Sequence, residues 1–245
     1  MWTGPAFSAR MLLLACLFGV CACGGSAEAP APPTPAPTEP PLETVWDVDA
    51  RGVPRLATVD YIELGKVRRI SLFRSSVGHD APDSFERCRS MKHYFMPASA
   101  ATASTIQIRA PFSGSVRRVF EESLGTQVQI VSKTTPAFAV ILFHVSLARP
   151  LTVGQDLAAG DVLGTHIGNQ TFSDVAVEVA APQGRRLVSY FELVSDDVWA
   201  GYAARGAASR QTFILTRAQR DADPLMCNGE QFVTFGGLPQ WVDLN

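Results

Sequence analysis

The sequence has few of the residues that most often carry metal or nucleophilic chemistry. It contains only four histidines, and all of them lie between positions 79 and 166. There is no P-loop, no dinucleotide-binding fingerprint and no Gly-x-Ser-x-Gly nucleophile motif. The 21 Lys and Arg residues form no basic tract and face 23 Asp and Glu residues, which argues against a nucleic-acid partner. The four histidines are therefore the first candidates for chemistry.

The beginning of the chain has the pattern of a targeting signal. Arg10 precedes an apolar run of about ten residues, too short for the roughly 20 that span a bilayer. The run leads to Val-Cys-Ala-Cys-Gly, which ends with Cys23 and a glycine. This pattern resembles the lipobox of bacterial lipoproteins, which implies a signal peptide at 1–22 and a lipid on Cys23. Acylation at Cys16 would leave almost no apolar run, and an ordinary cleaved signal is the other alternative.

The lipobox resemblance also implies a location. Gly24 follows Cys23, whereas an aspartate there often marks retention in the inner membrane of Gram-negative bacteria. We therefore expect an outer-membrane lipoprotein that faces the periplasm and reaches the membrane through its lipid. Residues 23–43 comprise this anchor and a Pro-rich tether, an extended spacer of about 3.1 Å per residue.

The cysteine count is consistent with export. If Cys23 carries a lipid, Cys88 and Cys227 are the cysteines that remain in the folded part. In an oxidising compartment an even pair favours a disulfide, although two separately buried thiols are the alternative. The bond would close a loop of about 140 residues, worth roughly 4–5 kcal/mol in the chain-entropy model.

Residues 44–245 are predicted to form one mostly β domain with its core at 106–194. Alternating or continuous apolar runs bounded by glycines predict strands at 106–109, 115–120, 127–131, 140–145, 175–179 and 187–193. Ser195 is the predicted N-cap of a helix that ends before Gly206. The tail at 220–230 reads as an ordered loop.

Residues 109–179 carry a family resemblance. The segments Ala-Pro-Phe-Ser-Gly-Ser-Val at 110–116, Phe-His-Val-Ser-Leu at 143–147 and the double-glycine hairpin at 153–164 resemble the core of LytM-type (lysostaphin-like) zinc endopeptidases. The hairpin also occurs in biotinyl and lipoyl carrier domains. The resemblance implies a duplicated-hybrid-motif-like β-sandwich or barrel, here with a short C-terminal helical appendage.

Activity in that family requires a His-x-x-x-Asp motif together with the second histidine of His-x-His, which hold a zinc ion. His79 and Asp83 have the first spacing, although they lie farther upstream than the family pattern places them. Ala176 falls where the third ligand belongs, and alanine cannot bind a metal. The resemblance therefore implies no cofactor, unless zinc is held by a rearranged set of ligands.

The same alignment suggests which residues form the remaining site. His144 matches one catalytic histidine, and Asp174 replaces the histidine that acts as general acid or base. His166 is expected to line the same groove. The alternative is that each histidine makes only local hydrogen bonds and has no role in binding or catalysis.

Three functional hypotheses follow from this pattern. The first is a degenerate domain that binds peptidoglycan or an envelope partner. The second is a metal-dependent peptidoglycan hydrolase that uses His79, Asp83, His144 or His166 in an altered geometry. The third is a structural scaffold in an envelope complex.

Overall fold

The computed structural model describes residues 42–245. The predicted signal peptide, Cys23 and nearly all of the Pro-rich tether lie outside the described residues. Within residues 42–245, no helix has the length and apolar character needed to cross a membrane. The described part contains the whole region that resembles the LytM-type core.

The fold is mostly β, as the sequence predicted. Its strands are β1 Val67–Ser71, β2 His93–Pro97, β3 Gln107–Arg109, β4 Gly114–Glu122, β5 Gly125–Ser132, β6 Phe138–Leu147, β7 Asp156–Leu157, β8 Val162–His166, β9 Ser173–Ala181, β10 Gly184–Val188, β11 Cys227–Asn228, β12 Gln231–Phe232 and β13 Trp241–Asp243. The α-helices are α1 Val48–Arg51, α2 Tyr190–Leu193, α3 Asp196–Ala203 and α4 Arg217–Ala222. Short 3₁₀ helices occupy Leu64–Lys66, Ala100–Thr105 and Arg210–Phe213.

One large antiparallel sheet organises the domain. Its strands follow the order β13-β1-β2-β9-β6-β5-β4-β7, with β10 paired to β9 and β8 paired to both β6 and β3. Strand β6 lies in the interior of this order, and its first five residues are buried. The apolar run at 140–145 fits this place because a strand covered on both faces needs no polar alternation.

The sheet extends beyond the predicted core at 106–194. Strands β1 and β2 bring residues 67–71 and 93–97 into the sheet, and β13 adds residues 241–243. Strand β2 pairs directly with β9, so the segment that contains Lys92 and His93 lies beside the strand that contains Asp174. This pairing, between segments about 80 residues apart, positions the candidate site.

The predicted strand at 187–193 was wrong in its second half. Strand β10 ends at Val188, and Ser189 begins helix α2. The Ser189 hydroxyl and the Glu192 side chain form a reciprocal capping box, and this local signal overrides the β-like apolar pattern.

The predicted loop at 220–230 was wrong as well. Helix α4 covers residues 217–222, with Thr216 and Gln219 forming its capping box, and β11 and β12 form a hairpin after it.

The predicted disulfide between Cys88 and Cys227 is confirmed, with Cα atoms 5.6 Å apart. Helix α3 is capped by Ser195 as predicted.

Candidate functional site

A β-bulge in β6 determines the position of His144. Between Leu142 and Val145 the register with β5 shifts, so that two residues of β6 face a single residue of its neighbour. His144 takes a left-handed backbone conformation with φ of 59°, which is unusual for a residue other than glycine. Its Nδ1–H donates to the carbonyl oxygen of Leu124 at 2.8 Å. Nε2 is therefore the ring nitrogen left for the site.

Asp174 lies on β9 beside this imidazole. The His144 Nε2 atom is 3.2 Å from Asp174 Oδ1, and the aspartate is completely buried. This contact is a charge contact without a hydrogen bond, and Oδ1 has no hydrogen-bond partner among residues 42–245. The structure thus brings together the two residues that the sequence proposed as the catalytic pair.

Lys92 completes the cluster, and the sequence analysis did not single it out as a site residue. Its ammonium donates to Asp174 Oδ2 and lies 3.2 Å from His79 Nε2. It also sits 4.1 Å from the centre of the Phe143 ring, at cation–π distance. Burial by itself would lower the pKa of Lys92, but the charge of Asp174 more than offsets it and raises the pKa above its ordinary value. Lys92 is therefore a buried, charged ammonium.

Tyr94 contributes a second polar group from β2. It is the cross-strand partner of Asp174, and its hydroxyl is buried without a hydrogen-bond partner in the described chain. Burial, together with the charge of Asp174, raises the pKa of Tyr94 to about 12. Gly78 packs against this hydroxyl with a φ of 74°, and a Cβ at that position would clash with it. The glycine thereby lets the chain bring His79 next to Lys92.

The two residues of the predicted His79–Asp83 motif have different roles in the structure. His79 joins the cluster through Lys92, and its half-exposed side chain opens the cluster to solvent. Asp83 instead accepts the backbone N–H groups of Phe85, Glu86 and Leu187. Its carboxylate therefore organises a local turn and the edge of β10.

The other two histidines are completely buried. His166 was expected in a loop, which was wrong, because it is the last residue of β8. Its Nε2 atom has no hydrogen-bond partner among residues 42–245, and burial together with the neighbouring His144 lowers its pKa. His93 points away from Lys92 on β2, with Nδ1 2.8 Å from the Ser71 carbonyl oxygen and Nε2 2.7 Å from the Ser189 hydroxyl. Burial lowers the pKa of His93 to about 4, so this side chain is neutral.

A zinc ion does not fit the donors in this cluster. Catalytic zinc takes three protein ligands and keeps one open position. Within the described range, no group of three or more His, Cys, Asp or Glu residues is arranged to hold a metal. The Lys92 ammonium contacts both His79 and Asp174, the two side chains that would have to turn to a metal. Ala176 packs in an apolar cluster with Phe73, Met91, Ile141 and Leu187.

Comparison with known proteins gives distant likenesses only. No family model and no curated protein matches the chain. A Ruminococcus gnavus structure assigned as a glycyl-glycine endopeptidase, LytM, is 15% identical, with 41% of this chain and 43% of that chain covered and a TM-score of 0.34. The solution structure of lysostaphin is 16% identical, with 33% and 36% covered and a TM-score of 0.27. A structure of the SpoIIQ–SpoIIIAH pore-forming complex is 9% identical, with 63% and 99% covered and a TM-score of 0.38.

Two of these structures belong to the family that residues 109–179 resemble. The chain spans less than half the length of the LytM and lysostaphin chains. Because every TM-score is below 0.5, no activity and no residue role is transferred from these structures. The mostly β fold and the cluster of His79, Lys92, Tyr94, His144 and Asp174 rest on the chain's own geometry.

Proposed function

We propose that this chain is a lipid-anchored envelope protein whose LytM-like domain binds peptidoglycan without cleaving it. The observation that supports binding is a concentration of unsatisfied polar atoms. Asp174 Oδ1 and the Tyr94 hydroxyl are both buried and lack a partner among the described residues. A buried polar atom without a partner costs about 1–3 kcal/mol, so a site that holds two of them is suited to a polar ligand.

The cluster has two routes to solvent. The side chain of His79 is half-exposed, and that of His144 is 17% exposed. A surface cavity of about 490 Å³ lies beside the bulge in β6, and its lining includes Gly125, Val145 and Ile167. Val145 in this lining directly follows His144, so a polymer in the cavity would lie beside the bulge that holds the imidazole.

The Lys92 ammonium argues against hydrolysis with zinc. The ammonium contacts both His79 and Asp174, and Ala176 provides no third ligand. The donors that zinc would need for activating water are therefore already engaged by the ammonium or missing. This observation favours a binding role over the alternative of a hydrolase with rearranged ligands.

The lipid anchor supports the envelope part of the proposal. A lipid on Cys23 followed by an extended tether would place the domain near a cell wall. Palmitate labelling of the exported chain tests the anchor. We expect the label to be lost in Cys23→Ala and retained in Cys16→Ala, and the reverse pattern would move the anchor to Cys16.

Sedimentation with insoluble peptidoglycan tests the binding function. The chain carrying Cys23→Ala is expected to sediment with the polymer, and His144→Ala is expected to weaken retention at least tenfold. Lys133→Ala is the matched control, since Lys133 is an exposed residue paired with Asp156 elsewhere on the domain. No retention of the parent chain would favour the scaffold hypothesis. Release of soluble muropeptides on adding zinc would support the hydrolase instead.

A further inference from the structure

The register between β2 and β9 places Lys92 next to the position of Ala176. His93 pairs with Val175 and Tyr94 with Asp174. Continued by one residue, the same antiparallel register sets Lys92 opposite Ala176. Side chains opposite each other on such strands have Cβ atoms about 4.5–5.5 Å apart. Lys92 therefore lies on the same face of the sheet as Asp174 and Ala176.

Asp174 needs a positive charge close by. Its side chain is completely buried, and a buried carboxylate is stable only when it is paired or bound to a cation. Lys92 provides this charge, and its own side chain is only 3% exposed. His79 Nε2 and the face of the Phe143 ring complete the surroundings of the ammonium. These contacts fix a single positive charge beside the Asp174 carboxylate, where a coordinated metal ion would also place positive charge.

We propose that Lys92 is a built-in replacement for a metal ion, and that Lys92 and Ala176 are a coupled pair. The ammonium neutralises the Asp174 carboxylate and also contacts the imidazole of His79. The small side chain at position 176 leaves room for the lysine stem. This inference concerns the charge balance of the site and does not depend on what the domain binds, so a failed peptidoglycan experiment would leave it standing.

The proposal predicts that two substitutions create a metal site. In Lys92→Ala/Ala176→His, the ammonium is gone and an imidazole projects from β9 on the same face as Asp174. His79, Asp174 and the new histidine would then offer the three ligands that zinc takes in catalytic sites. Single Ala176→His, which keeps Lys92, is the matched control.

Metal analysis of the untagged chains after dialysis against zinc is the first test. We expect about one zinc per chain in the double variant, little in the parent chain and little in Ala176→His. Adding His79→Ala to the double variant should weaken zinc binding at least tenfold. A folded double variant that binds no zinc, or an Ala176→His chain that binds it equally well, would overturn the proposal.

Thermal unfolding is the second test, and it does not require any variant to bind a metal. Lys92→Met keeps the apolar stem but removes the fixed positive charge beside the buried Asp174, so the Tm should fall by roughly 10 °C at pH 7. Lys92→Met/Asp174→Asn removes both charges and should regain most of this loss. If Lys92→Met is as stable as the parent chain, or if Asp174→Asn brings no recovery, Lys92 is not the compensating cation.

Discussion

His144 Nε2 and Asp174 Oδ1 lie 3.2 Å apart on the adjacent strands β6 and β9. The other oxygen of the same carboxylate accepts a hydrogen bond from Lys92. One buried carboxylate is thus shared between a fixed ammonium and a partly exposed imidazole. The Lys92 ammonium neutralises the charge of Asp174. Of His144 and Asp174, His144 is the residue whose side chain is partly exposed to a ligand.

The strained backbone at His144 predicts an unusual order of stability for its variants. With φ at 59°, glycine fits this position without the steric cost that alanine meets. Both variants lose the hydrogen bond to Leu124, so that loss cancels in the comparison. His144→Gly should therefore be more stable than His144→Ala by about 1 kcal/mol, or roughly 2–4 °C in Tm.

Differential scanning calorimetry of the two His144 variants measures this difference. Retention on peptidoglycan should be weakened equally in both, because neither has an imidazole. If His144→Ala were the more stable protein, the left-handed conformation would not be the origin of the effect.

Asp60 predicts a pH dependence of stability. The Tyr190 hydroxyl donates to Asp60 Oδ1 at 3.1 Å, yet burial outweighs this bond and raises the pKa of Asp60 to about 6, above the ordinary range of an aspartate. A carboxyl with a raised pKa favours the folded state while it is protonated, at low pH. That contribution is lost as the pH rises from about 4 to above 6.

Substitution of Asp60 isolates this contribution from other titrating groups. Asp60→Asn should raise the Tm relative to the parent chain at pH 7.5, with the difference shrinking towards zero at pH 4. Tm measurements of both chains across this range provide the test. A Tm difference that is independent of pH would mean that Asp60 does not titrate with a raised pKa in the folded state.

The disulfide predicts a redox-dependent stability. Cys88–Cys227 joins the segment before β2 to the hairpin of β11 and β12, across 139 residues of sequence. Its removal in Cys88→Ser/Cys227→Ser should cost roughly 2–5 kcal/mol in the free energy of unfolding. Urea titration with and without a reductant measures this cost. The reductant should destabilise the parent chain and leave the double variant unchanged.

Ser189 predicts a cost larger than that of an ordinary helix cap. Its hydroxyl accepts the Phe191 N–H and lies 2.7 Å from His93 Nε2, deep in the core. Ser189→Ala removes the cap and leaves the buried imidazole without its partner, for a loss of about 2–4 kcal/mol. Ser189→Thr keeps the hydroxyl and should lose much less. Equal Tm values for the two variants in thermal melts would contradict this role.

Local sequence patterns were sufficient for most of the sheet. The apolar run of β6 and the Ser195 cap were predicted because each depends on neighbouring residues. The even pair Cys88 and Cys227 also indicated its disulfide. The strand predicted through 193 was wrong although Ser189 and Glu192 have the spacing of a capping box, which is a local signal that the apolar pattern concealed.

The composition of the site depended on contacts between distant segments. By itself, the sequence determined a β domain with His144 and Asp174 as a candidate pair and Ala176 in place of a ligand. Only the tertiary structure decided that Lys92 fills the centre, that Asp83 serves a turn and that His166 is buried. The physical reason is that strand register and burial arise from pairing between segments far apart in sequence. A lysine in an apolar stretch has no local feature that reveals which buried carboxylate it will neutralise.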